Sequence, residues 1–293
     1  MTSYIGRFAP TPSGPLHFGS LLAALASYLD AKAVKGKWLL RIEDTDPLRE
    51  PKGACDSIIR TLEAYGLHWD GEIIKQSQRH RIYQEIINDL LKKQLAYHCD
   101  CSRSQLQPFA VYPNTCRNLN NKNPTSSAIR IKTEDKIYSF IDRIQGVFKQ
   151  NISTDVGDFI IKRKDQYYAY QLAVVVDDGL QGITDVVRGA DLLDNTPRQL
   201  YLQKILGYTQ PNYLHIPLIT MPNGQKLSKS YRSEAIDQQR IHLNLLRALK
   251  ALGQTAPSYL KEATAQELLC FASAHWDAEK IPKTLSIPEA QLT

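Results

Sequence analysis

Two short stretches far apart in the chain carry residues suited to phosphate chemistry. The first is Arg7-Phe8-Ala9-Pro10-Thr11-Pro12-Ser13-Gly14-Pro15-Leu16-His17-Phe18-Gly19-Ser20, and the second is Lys226-Leu227-Ser228-Lys229-Ser230. The first follows a strand-like segment over 4–8 and runs into an apolar, helix-forming segment over 21–34. A rigid Pro/Gly loop there sets unpaired backbone N–H groups, and the positive end of the helix dipole, where they favour a phosphate. His17 is placed to donate to a phosphate oxygen, and Gly19 lets an adenine or ribose approach the backbone closely. The second stretch follows Pro222-Asn223-Gly224 and offers two ammonium groups, Lys226 and Lys229, on a loop that can close over a triphosphate. A third set is sulfur. Cys99, Cys101 and Cys116 are clustered so as to share a zinc ion, the fourth ligand coming from Tyr112, His98, Asp100 or water. The competing reading is three incidental thiols in an irregular segment.

The elements that must hold these groups alternate over the first hundred or so residues: strands at 4–8 and 37–42, helices from 21, near 54–65 and near 81–94. That order predicts an α/β fold with a doubly wound parallel sheet, whose ligand crevice lies at the carboxyl ends of the strands. There is no GxGxxG and no Walker lysine, which disfavours dinucleotide and P-loop sites. Over 97–165 the pattern changes to short polar segments with strand candidates at 128–132 and 147–150, and reads as an insertion carrying the zinc site. The expected division is a Rossmann-like catalytic half over 1–96, the insertion over 97–165, a second catalytic half over 166–225, and the lysine loop with a helical tail over 226–293. In the tail, Thr264 and Glu267 form a capping-box pattern before an apolar run. Cys55 and Cys270 fall in helical stretches and are expected to pack in the core.

With 293 residues and 43% apolar content, the chain can build one large domain and a smaller one. Its longest apolar run, over 21–29, is too short to cross a bilayer, and the N-terminus lacks a signal-peptide pattern. A cytoplasmic monomer with no membrane partner is the expectation, and an odd count of five cysteines fits a reducing compartment. The net charge is +6, and residues 226–250 hold six Lys/Arg against two Asp/Glu. That suits a polyanion partner, although a solvated helix face beyond Ser230 would look the same.

His17-Phe18-Gly19-Ser20 and Lys226-Leu227-Ser228-Lys229-Ser230 resemble the two signatures of class I aminoacyl-tRNA synthetases. Leu40-Arg41-Ile42-Glu43-Asp44-Thr45-Asp46, together with Arg7-Phe8-Ala9-Pro10, resembles the glutamyl members of that class. Further matches are Tyr170-Gln171-Leu172-Ala173-Val174-Val175-Val176-Asp177-Asp178 and Asp185-Val186-Val187-Arg188-Gly189-Ala190-Asp191, so the resemblance runs over roughly the first 230 residues. Leu227 replaces the commoner methionine without removing a charge. After Ser230 only 63 residues follow, broken by Pro257, Pro282 and Pro288, too little for an anticodon-binding domain. The chain thus looks like the short paralogues of glutamyl-tRNA synthetase. These activate L-glutamate with ATP without needing tRNA, and attach it to the queuosine base in the anticodon of tRNA(Asp). Two readings compete: a truncated enzyme charging the tRNA 3′ end, and a non-catalytic RNA-binding relic. Retention of Arg7, His17, Glu43, Arg188 and Lys229 together speaks against the relic.

The resemblance also implies roles. Activation is attack of a carboxylate oxygen on the α-phosphorus of ATP, and the nucleophile is already ionised. Catalysis therefore rests on positioning and on stabilising phosphate charge rather than on a general base. His17 and Lys229 are the catalytic candidates, with Gly19 and Lys226 also at ATP and Mg²⁺ accompanying the nucleotide. Arg7 and Arg188 would hold the carboxylates of glutamate and Glu43 its ammonium, in a pocket completed by Phe8, Ala9, Pro10, Thr11 and the Tyr170 hydroxyl. The bland alternative for Arg7 and Glu43 is an ion pair with each other. In the short paralogues a tyrosine four residues before the last cysteine ligates one structural Zn²⁺, and Tyr112 matches that place. The anticodon stem-loop is expected near the insertion and the basic tail.

Overall fold

The computed structural model describes residues 3–119, 126–221 and 235–292, so the lysine loop at 226–230 lies outside the described residues. Strand β1 (Ile5–Phe8) passes through the proline-rich loop into α1 (Phe18–Ala33). Because α1 is apolar on nearly every face, burying Leu21, Leu22, Leu25 and Leu29 among others, it must be covered on nearly every face. The sheet strands cover one side of it and two C-terminal helices the other. Each fully buried leucine contributes about 1.5–3 kcal/mol of transfer free energy.

The chain continues through β2 (Lys37–Ile42), α2 (Ala54–Ala64), β3 (Ile74–Lys75) and α3 (His80–Lys92). Strands β1, β2 and β3 form one parallel sheet. Next come β4 (Ala96–Cys99), the single turn α4 (Arg103–Leu106), β5 (Ala128–Ile131), β6 (Ile137–Asp142), β7 (Gly146–Asn151), the turn α5 (Ile152–Asp155) and β8 (Ile160–Lys162). The antiparallel sheet β4-β5-β8 carries Cys99, with Cys101 and Cys116 on the connection between β4 and β5. The β6–β7 hairpin instead joins a second sheet of order β7-β6-β10-β9, in which β9 (Asp185–Gly189) and β10 (Asn212–Ile216) follow α6 (Tyr170–Leu180) and flank α7 (Thr196–Leu206).

Thr184 fixes how these two sheets meet. Its backbone N–H donates to the Ile5 carbonyl at 2.9 Å, and its hydroxyl accepts the Ile5 N–H at 2.8 Å. The lateral order is therefore β3-β2-β1-β9-β10-β6-β7, with β1 and β9 side by side at the point where the chain changes direction across the sheet. A crevice at the carboxyl ends of such strands is where open α/β sheets bind ligands.

The remaining elements are β11 (Leu218–Thr220), α8 (Ile241–Ala251), α9 (Ala265–Ala274) and β12 (Ser286–Pro288). Leu245, Ala248, Leu249, Leu268 and Leu269 join the core around α1. The Thr264 and Glu267 capping box opens α9, with both reciprocal bonds formed.

The structure departs from the sequence reading at β6, β12 and Cys270, and it adds the short strands β3, β4 and β8, which were not among the strand candidates. Strand β6 went unread because Ile137, Ser139 and Ile141 face out while Tyr138, Phe140 and Asp142 face in, so apolar residues on both faces hide the period of two. Strand β12 is three residues long and exists only as a parallel partner of β11. Cys270 is corrected from a core residue to an exposed one, since α9 buries Leu268, Leu269 and Ala272 and turns position 270 outward.

Candidate functional site

His17 is the N-cap of α1: its Nδ1 accepts the Ser20 N–H at 3.3 Å. That bond leaves the ring proton of the neutral imidazole on Nε2. Gly14 in the same loop has a φ of 144°, outside the range of ordinary side-chain-bearing residues. The loop forms one wall of a cavity of about 430 Å³, lined by Arg7, Phe8, Ala9, Pro10, Thr11, His17, Gly19, Glu43, Tyr170 and Arg188 together with Asp191, Leu192 and the stretch 216–219. The site candidates among the described residues, the cysteine cluster apart, thus come together around one space. Arg7, Glu43 and Arg188 enter it from the carboxyl ends of β1, β2 and β9. Lys226 and Lys229 lie outside the described residues.

Beneath the cavity lies a buried charge network. Arg7 donates Nε and Nη2 to the two oxygens of Asp178 at 3.1 and 3.3 Å. Arg41 donates Nη1 to the same carboxylate at 2.7 Å and Nη2 to Glu43 at 3.5 Å. Asp177 is held by Gln76, Arg79 and Tyr83 at 2.6–2.8 Å. Arg7 and Glu43 therefore each pair with another partner rather than with one another. Burial pushes Asp178 up, but Arg7 and Arg41 outweigh it and hold the carboxyl below its ordinary value. Burial also raises Glu43 to about 7, against the opposing pull of Arg41 and Arg7. Arg41, Asp177 and Asp178 were not singled out as site residues in the sequence reading. The signal present there was charge inside two otherwise apolar segments, 38–42 and 172–178.

Arg188 is held differently. Its Nε donates to His215 Nε2 at 3.0 Å, Nη2 to the Thr196 hydroxyl at 2.7 Å, and Nη1 to the Tyr170 hydroxyl at 3.5 Å. Desolvation raises the pKa of Tyr170, so it stays a neutral donor and acceptor.

In the insertion, the sulfurs of Cys99, Cys101 and Cys116 lie within 4.8 Å of one another, a cluster that could hold a metal ion. The Tyr112 hydroxyl is 3.4 Å from Cys99 Sγ and 3.7 Å from Cys101 Sγ, and accepts the Cys116 N–H at 2.9 Å. His98 is turned away by strand alternation and bonds the Ser127 hydroxyl at 2.7 Å, while Asp100 is exposed. Three sulfurs and one oxygen around a common centre fit a tetrahedral zinc donor set. Arg130 adds a nearby positive charge, its guanidinium 3.8 Å above the Tyr112 ring and its Nε 3.3 Å from Cys99 Sγ.

The family described as "tRNA synthetases class I (E and Q), catalytic domain" matches residues 5–267, and the chain belongs to it: this is a ligase of the aminoacyl-tRNA synthetase type. The solved glutamate tRNA ligase of Elizabethkingia meningosepticum, in complex with its amino acid, superposes with a TM-score of 0.81 at 26% identity, covering 98% of this chain and 67% of the ligase. More similar are curated proteins named Glutamyl-Q tRNA(Asp) synthetase. That of Pseudomonas fluorescens is 58% identical over 100% of this chain and 98% of its own length, and that of Ectopseudomonas mendocina 58% identical over 99% of both.

Proposed function

We propose that the protein activates L-glutamate with ATP, in the absence of tRNA, and transfers it from the adenylate to the queuosine base in the anticodon of tRNA(Asp). The observation that carries the activation step is the cavity itself: a helix N-terminus with its histidine cap on one wall, and two buried arginines with Glu43 on the other. The acceptor is supported by the names of the relatives at 58% identity. Arg7 and Arg188 receive the two carboxylates of glutamate, Glu43 its ammonium and Tyr170 a hydrogen bond, while residues 8–11 form the rim. His17 donates Nε2–H to the phosphates, Gly19 admits the nucleoside, and Lys226 and Lys229 neutralise charge that builds on the α-phosphate. Mg²⁺ arrives with ATP, bound through phosphates and water.

The second site fits zinc, with Cys99, Cys101, Cys116 and Tyr112 as ligands; the ion supplies structural cross-linking of the insertion and no reaction chemistry. The same reading keeps the division at 96/97, 165/166 and 225/226, with the β6–β7 hairpin of the second segment paired into the catalytic sheet, and makes the protein a cytoplasmic monomer. Measuring metal content, with Tyr112→Phe compared against the unmodified protein in competition with a chelator, tests the ligand set. The function is tested by transfer of labelled glutamate to tRNA(Asp) with and without queuosine, beside tRNA(Glu). Label on queuosine-containing tRNA(Asp) alone supports the proposal. Label on the 3′ end of tRNA(Glu) would replace it with a charging enzyme, and no label on any RNA would refute transfer.

A further inference from the structure

Three neighbouring parallel strands bring Asp142, His215 and Arg188 together: Arg188 is the register partner of His215 across β9 and β10, and Asp142, in register with Tyr213, ends β6 on the other side of β10. His215 is 0% exposed and Asp142 2%. Asp142 accepts the backbone N–H groups of Ile144, Gln145 and His215 at 2.9–3.2 Å, and one of its oxygens is 2.6 Å from His215 Nδ1. A carboxylate that collects donors in this way keeps the histidine proton on Nδ1, leaving a lone pair on Nε2. Arg188 Nε can only donate, so its 3.0 Å contact with His215 Nε2 is a hydrogen bond in that tautomer alone.

From this geometry we propose that His215 and Asp142 are positioning residues, which fix Arg188 on a neutral acceptor so that its charge is left for the substrate carboxylate. The inference rests on the reading that Arg188 receives a carboxylate of glutamate. A carboxylate set directly against Arg188 would orient it equally well but would cancel the charge the ligand needs. A neutral imidazole orients the guanidinium without cancelling it, and the carboxylate that sets the tautomer stands one residue further away. Burial, aided by Arg188, holds the His215 imidazole down at about 4 in spite of Asp142, so the ring is neutral near pH 7.

Asp142→Asn tests the relay. The amide oxygen can keep the loop N–H bonds, while the amide nitrogen donates to Nδ1 and drives the proton onto Nε2, facing the Arg188 N–H. The KM for glutamate in ATP–pyrophosphate exchange is expected to rise at least about tenfold with the KM for ATP within about twofold, since one charge-assisted bond is misdirected. His215→Leu should behave likewise. His215→Gln, which can accept from Arg188 and donate to Asp142, should recover most of the loss. Nitrogen-resolved imidazole spectra of the unmodified protein should show His215 protonated at Nδ1, a readout that needs no variant to fold; protonation at Nε2 would overturn the proposal. So would an unchanged glutamate KM in folded Asp142→Asn and His215→Leu proteins when Arg188→Gln raises it. If Arg188→Gln itself left that KM unchanged, the pocket reading would fall and the relay with it.

Discussion

Arg7 and Arg188 face the same cavity and are buried to a similar degree, 3% and 6% exposed, yet their surroundings are opposite. Arg7 is forked onto Asp178, a carboxylate it shares with Arg41, and Glu43 and Asp177 complete a network in which each charge has a counter-charge nearby. Arg188 is bonded to an imidazole, two hydroxyls and the Leu192 carbonyl. Burying a charge costs several kcal/mol unless it is compensated, so the first arrangement is balanced by the protein's own carboxylates, while on the proposed reading the second gains its counter-charge from the substrate. A pocket for an amino acid with two carboxylates thus pairs one arginine anchored on the protein's own carboxylates with one anchored on neutral acceptors.

The comparison is broken most severely at its scaffold. Replacing Asp178 by Asn leaves Arg7 and Arg41 short of a counter-charge, and is expected to cost about 3–5 kcal/mol of stability in denaturant unfolding. Arg188→Gln should show the reverse pattern, with unfolding free energy near that of the unmodified protein and a KM for glutamate raised about 30- to 150-fold, the worth of a charge-assisted fork.

Glu43 sharpens the contrast through pH. Its folded-state pKa is raised to about 7 from an ordinary 4.5. The empty folded protein therefore binds an extra proton between those values, and the stability contributed by that proton is present below about 4.5 and lost as pH rises through about 7. Glutamate's ammonium needs the carboxylate, so affinity should climb up to about tenfold per pH unit below 7 and level off above it. Calorimetric titration over that range checks the slope, and Glu43→Gln should flatten it. The smallest expected effect is at Tyr170, whose hydroxyl meets Arg188 at 3.5 Å. Tyr170→Phe should raise the glutamate KM about three- to tenfold, measured in the same exchange assay.

Sequence alone was a good guide to what sits at element ends. The proline-rich loop before α1 was read from its strand-then-helix setting, Glu43 just after β2 and Arg188 in β9 from the family motifs they stand in, and all of them line one cavity. What holds Arg7 and Arg188 was not legible. Asp178 lies 171 residues from Arg7, and His215 lies 27 from Arg188, so their contacts depend on strand order and register. Periodicity says which face a residue takes, not which strand lies next to it. The same limit hid β12, whose three residues are ordered by β11 rather than by their own pattern, and it misjudged Cys270, where α9 is buried on one side only.

The most direct measurement is ATP–pyrophosphate exchange with glutamate in the absence of any RNA, repeated with glutamine. A cavity whose two arginines hold two carboxylates should support exchange with glutamate and little with glutamine, whose neutral side-chain amide leaves one of those charges unanswered. Exchange that required tRNA, or that ran equally well with glutamine, would contradict the account.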